Sequence, residues 1–184
     1  MTTAALPDAL VVLDVEASGL GELSWPIEVG VAVVEGDAVA RSGSRLIRPD
    51  PSWDAAGWSG DSAAVHGISR AALDRAPAPA DVARWLIDLV DGRPAVSDAP
   101  PFDRAWLSSL FAAANVRPDP IRLRDYDRAL IEAFGTDEAG QAAIRAAWAH
   151  LAAAPTPHRA EADARRLANA YLAGRRALRD ATGG

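Results

Sequence analysis

Apolar and polar positions along the chain change their period part-way. Leu10 to Leu13 form an unbroken apolar run, the mark of a buried strand. "PIEVGVAVVEG" (26–36) predicts a second strand, rich in Val and Ile and bounded by Pro26 and Gly36. "SRLIRPD" (44–50) predicts a third, and the short turns between the three predict an antiparallel meander. Helical spacing then takes over: Val82, Trp85, Leu86 and Leu89 lie on one face of 79–92, closed by Gly92. A short strand over 93–97, a helix over about 101–114 and a strand within 120–126 follow. Two more helices are predicted over 138–154 and about 158–178.

A meander followed by alternating helices and strands predicts an α/β fold, a mixed sheet flanked by helices. Residues 50–63 read as a surface loop. Its Trp53 and Trp58 are expected to fold back onto the body rather than stack on bases. Residues 1–178 are expected to form one domain and 179–184, "RDATGG", a flexible tail.

Composition narrows the class. With 184 residues, 49% of them hydrophobic, the chain suffices for a sizeable core. No apolar run reaches the length of a membrane span. "MTTAALPDAL" has neither the basic start nor the apolar stretch of a signal peptide, so a cytoplasmic protein is expected. Cysteine is absent, which excludes disulfides and thiolate metal sites. All 19 basic residues are Arg, which excludes every lysine-based chemistry. A net charge of -6 argues against broad adhesion to nucleic acid, but not against an enzyme that grips a strand end through metal ions.

The candidate chemistry lies in carboxylates. Asp14 and Glu16 follow the first apolar run two residues apart, so on a strand they share a face. Taken alone, such a pair is as well read as a solvated strand end. A third acid alters the balance. In "SDAPPFDRAWLSSLFAAA", Asp103 points the same way as Leu107 and Leu110, inward, in a first helical turn opened by Pro101. Asp163 lies at the edge of the stripe formed by Ala160, Ala164, Leu167 and Tyr171, and His158 stands five residues before it. Four oxygen ligands without Cys suit hard cations such as Mg²⁺ or Mn²⁺. A pair of such ions about 3.5–4 Å apart holds the attacking and leaving oxygens of a phosphoryl transfer. A nearby His can take the proton of the attacking water.

At these residues the sequence resembles the DEDDh family of 3′→5′ exonucleases. "DVEASGL" is similar to its first motif, "FDRAWL" to its second and "HRAEADA" to its third, with "VHGIS" (65–69) between the first two. The resemblance implies an RNase H-like fold and release of 5′-monophosphates from the 3′ end of single-stranded DNA or RNA. It implies Asp14, Glu16, Asp103 and Asp163 as ligands of two Mg²⁺ or Mn²⁺ ions, and His158 as general base. Ala17, Ser18, Gly19 and Leu20 would lie against the terminal nucleotide, with Phe102 beside it. His66 would lie near the substrate or serve the turn. Relatives include monomers and homodimers.

Two departures stand out. Many relatives have a Thr pair where this chain has Ala17–Ser18, and "SDAPPFD" makes Asp98 a rival to Asp103. A haloacid-dehalogenase-type phosphatase would want Asp in place of Glu16 and commonly a later Lys. A dinucleotide site at "GLG" (19–21) fails because Ser24 occupies the third glycine position and a strand follows. The rival of another class is a nuclease-like module that binds nucleic acid or protein without cutting. Such a module would be expected to have lost at least one of the five residues.

Overall fold

The computed structural model describes residues 9–153 and 155–183, leaving the N-terminal stretch searched for a leader, residues 1–8, outside the described residues. Strands β1 (Ala9–Ala17), β2 (Pro26–Glu35) and β3 (Ala38–Leu46) form the meander. A single 3₁₀ turn (Ala55–Gly57) and helices α1 (Gly60–His66), α2 (Arg70–Leu73) and α3 (Pro79–Val90) lead to β4 (Ala95–Ser97). Then come α4 (Pro100–Ala113), β5 (Leu123–Asp125), α5 (Tyr126–Phe134), α6 (Glu138–Ala152) and α7 (Ala160–Thr182). The sheet order is β3-β2-β1-β4-β5. β1 pairs antiparallel with β2 and β2 with β3, while β1–β4 and β4–β5 are parallel. This is the expected mixed sheet.

Alternation on β1 divides the core in two. Val11, Leu13 and Val15 face α3 and α4, packing with Val82, Leu86 and Leu110. Leu10 and Val12 face the other layer, with Tyr126, Leu167 and Tyr171. Period two then carries Asp14 and Glu16 onto the α7 side. The central strand is thus apolar on both faces until its carboxyl end, where one face turns acidic.

Several boundaries differ from the sequence expectation. The third strand starts at Ala38, not 44. As a sheet edge it carries Arg41, Ser42 and Ser44, so its early half lacks an apolar signature. The loop predicted over 50–63 gives way to α1 at Gly60, capped by the Ser59 hydroxyl. Trp53 and Trp58 do fold back, their rings 5.7 and 5.9 Å from Trp25. The strand predicted as far as 126 ends at Asp125, whose side chain accepts from the Arg128 N–H and starts α5. The last helix begins at Ala160 and continues to Thr182, so the predicted tail is helical to that point. Its end is held by Arg179, which pairs with Asp37 on the β2–β3 turn. Among the described residues no helix is long and apolar enough to cross a membrane.

Candidate active site

The acidic end of β1 is flanked by two helix N-termini. Asp14 and Glu16 stand on the strand, and a register shift between Glu16 and Ala17 marks a bulge where the backbone leaves the ladder. From one side α4 brings Asp103, the fourth residue of that helix, which is 2% exposed. From the other α7 brings Asp163, also in its first turn and also buried. Ligand atoms of Asp14, Glu16 and Asp163 all lie within 4.8 Å of one another. Asp103 is not a member of that trio, but its charge acts on Asp14 more strongly than those of Glu16 and Asp163.

Hydrogen bonding leaves oxygens free in this cluster. Asp163 Oδ2 accepts from the Arg159 N–H at 3.0 Å, while Oδ1 is buried with no partner. Asp103 Oδ2 is likewise buried without one. Buried polar atoms of native proteins are nearly always paired, so two orphaned carboxylate oxygens beside two further acids suit a cation.

Electrostatics point the same way. Burial, then the charges of Asp103, Glu16 and Asp163, push the Asp14 carboxyl well above the usual carboxylate range. Burial and Asp163 push Glu16 up to about 7. Burial takes Asp103 to about 7 against the opposing pull of Ser97 and the Val15 backbone. Asp163 is raised by burial, moderated by the Arg159 N–H. Four carboxylates that resist ionisation together form a site whose repulsion a divalent ion would relieve.

His158 is not on the helix as predicted; it lies in the segment before α7, with φ +54°, a left-handed conformation uncommon for a side chain of this size. It lines a cavity of about 130 Å³ together with Asp14, Glu16, Asp163 and Asp98. Asp98, at the end of β4, is exposed, in contrast to Asp103.

A family model described as an exonuclease family, RNase T, matches residues 11–171, nearly the whole chain. The chain belongs to this DEDDh-type exonuclease family. A comparison with curated proteins yields no match. Among solved structures, the chain is similar to the nuclease domain of 3′hExo, a DEDDh family member bound to rAMP. The identity is 15% and the TM-score 0.68, over 94% of this chain and 92% of that one. It is also similar to a 3′-exonuclease in the recognition of a histone mRNA stem-loop, at 15% identity and TM-score 0.69. That match covers 97% of this chain and 66% of the other, so the exonuclease spans just under two thirds of that relative. E. coli Exonuclease I in complex with a dA16 oligonucleotide matches at 15% identity and TM-score 0.65, over 94% and 42%. These likenesses establish the RNase H-like fold.

The remaining sequence candidates of the exonuclease separate into exposed and buried groups. Leu20 is 78% exposed and Phe102, the neighbour of Asp103 in sequence, 52%, and both line a second cavity of about 270 Å³. Trp106 closes its back, its indole N–H donating to Ser24 Oγ at 2.9 Å. Ala17 and Ser18 are buried. The Ser18 hydroxyl is used internally, donating to the Gly57 carbonyl at 2.8 Å and accepting from the Trp25 N–H at 3.0 Å. Gly19 sits where an added Cβ would come 3.0 Å from the Gly57 carbonyl oxygen. The loop around Gly57 therefore braces the turn that presents Leu20.

His66 ends α1, buried, its Nδ1 accepting from the Ile68 N–H at 3.0 Å. Gly67 follows in a left-handed conformation. Burial lowers the His66 pKa, which agrees with Nδ1 acting as an acceptor.

Sequence reasoning passed over Glu28, a buried acid on β2 paired in register with Glu16. Its signal was present: a lone charge inside an otherwise apolar strand pattern.

Proposed function

We propose that this exonuclease removes nucleotides in the 3′→5′ direction from the 3′ end of single-stranded DNA or RNA, releasing nucleoside 5′-monophosphates, with two Mg²⁺ or Mn²⁺ ions. The observation that carries the reading is a convergence on one cavity: three carboxylates with ligand atoms within 4.8 Å, and His158 on the same wall. The orphaned oxygens of Asp103 and Asp163 support it. So does the presence of rAMP or of single-stranded DNA in structures of similar fold.

Asp14, Glu16, Asp103 and Asp163 would hold the ions, whose charge, when bound, offsets that building on the phosphoryl oxygens. His158, which lines the same cavity, takes the proton of the attacking water. Leu20 and Phe102 grip the terminal nucleotide at the cavity they line, and Ala17, Ser18 and Gly19 form the stretch that leads to Leu20. His66 serves the turn after α1, where its Nδ1 accepts from the Ile68 N–H. The enzyme acts as a monomer or homodimer in the cytoplasm.

The test is product identity. Protein incubated with a single-stranded oligonucleotide and Mn²⁺ should release nucleoside 5′-monophosphates, seen by chromatography. Release should stop with Asp14→Ala. Intact oligonucleotide bound tightly by the parent protein would instead favour the non-cutting module.

A further inference from the structure

β2 carries an acid that the proposed chemistry does not use. Glu28 is 1% exposed and projects from the sheet face that also bears Glu16, its cross-strand partner. All its acceptor capacity is engaged. Oε2 accepts from Arg159 Nε at 2.9 Å and from the Ala160 N–H at 3.2 Å. Oε1 accepts from Arg159 Nη2 at 3.0 Å and from Ser44 Oγ at 2.8 Å. Burial would raise its pKa, but these donors outweigh it and hold the carboxyl below its ordinary value.

The next residue on the same face is Gly30. A Cβ there would stand 2.1 Å from the Ala160 carbonyl carbon, so the absent side chain is what lets the start of α7 rest on the strand. Glu28 and Gly30 together form a seat for the turn 158–160. Arg159 is the residue seated. Its guanidinium is fixed to β2, its N–H donates to Asp163 Oδ2 at 3.0 Å, and His158 precedes it directly.

Stability alone gives little reason for such a pair, since the Arg159 side chain is half exposed and an ion pair open to solvent contributes little. What the fork-to-carboxylate contact adds is direction. We infer that Glu28 is a positioning residue: acting through Arg159, it sets where His158 and Asp163 stand relative to Asp14 and Glu16. This rests on the exonuclease reading for its consequence in turnover, but not for its consequence in metal binding.

The experiment uses the full chain, with Glu28→Gln, Arg159→Lys and the double variant compared with the parent. Melting temperature, Mn²⁺ affinity without substrate, and kcat and KM for mononucleotide release are measured for each. Glu28→Gln keeps the shape and removes the charge; Arg159→Lys keeps the charge and removes the fork. Both should remain folded at the assay temperature, bind Mn²⁺ more weakly and lose kcat about 10–100-fold, the range typical of groups that orient ligands. KM should change far less, and the double variant should be no worse than the weaker single one, because both remove one interaction. Folded variants with the parent's kcat and Mn²⁺ affinity would overturn the inference. If the parent releases no nucleotide, the exonuclease reading fails, and an unchanged Mn²⁺ affinity across the variants would overturn the positioning role by itself. Should Glu28→Gln not fold, Arg159→Lys, which leaves Glu28 a counter-charge, decides on the same measurements.

Discussion

Burial and the charges of Asp103, Glu16, Asp163 and Asp98 act together on Asp14, burial and Asp163 raise Glu16 to about 7, and burial raises Asp103 to about 7. Without metal, the folded chain therefore keeps protons on these groups that the unfolded chain, with ordinary values of 4.5 and 3.8, has released. Stability must then fall as pH rises through that interval, because the native state binds the excess protons. His66 works the other way, since its lowered pKa adds stability as pH rises towards its ordinary 6.5, but it is one group against several. In EDTA the melting temperature is expected to drop between about pH 5 and pH 7, and Mn²⁺ should reverse the slope. Glu16→Gln or Asp103→Asn should flatten the metal-free curve. A metal-free curve that rises over this range would refute the buried acidic cluster. Exposure also separates the two rival acids of the second motif. Asp103→Ala should abolish nucleotide release while Asp98→Ala keeps most of it, and the opposite pattern in a rate assay would move the ligand to Asp98.

At the scale of elements, the site depends on how closely α7 approaches β2. Gly30→Ala places a methyl group into the Ala160 backbone, where nothing flexible can yield. Overpacking of this kind costs about 1–3 kcal/mol. The expected result is a lowered denaturation midpoint and, because the seat of Arg159 shifts, a kcat reduced beyond what the folded fraction explains. A Gly30→Ala protein with the parent's midpoint and kcat would contradict this packing. The elements legible in the sequence are those whose pattern reports burial. β1 and β2 are apolar runs, and α3 and α4 carry clear helical stripes. β3 begins six residues before its apolar signature because an edge strand need not be apolar. α5 was missed because its cap, Asp125, closes a segment that reads as strand. Asp14, Glu16 and Asp103 stood out because each conflicts with its burial. Glu28 presents the same conflict, yet its resolution, a guanidinium arriving from residue 159, lies 131 positions away. No local pattern contains that partner.

For the molecule as a whole, a sheet with parallel strands at its centre collects chemistry at their carboxyl ends. β1 supplies two acids there, and the helix that follows β4 supplies a third. α7, packed across β1 and β2, returns the fourth from the far end of the sequence. A net charge of -6 and a cluster of four carboxylates would repel a polyphosphate strand. Divalent ions bound by the four carboxylates would remove that obstacle. The account therefore requires that cleavage be metal-dependent and confined to an end. Its most direct test is a time course with 5′-labelled single-stranded DNA and RNA of one sequence, with Mn²⁺ or Mg²⁺, against EDTA and Asp14→Ala controls. A two-metal 3′→5′ exonuclease should give a ladder that shortens from the 3′ end and disappears in both controls. Internal cuts, shortening from the 5′ end, or cleavage that survives Asp14→Ala would contradict it.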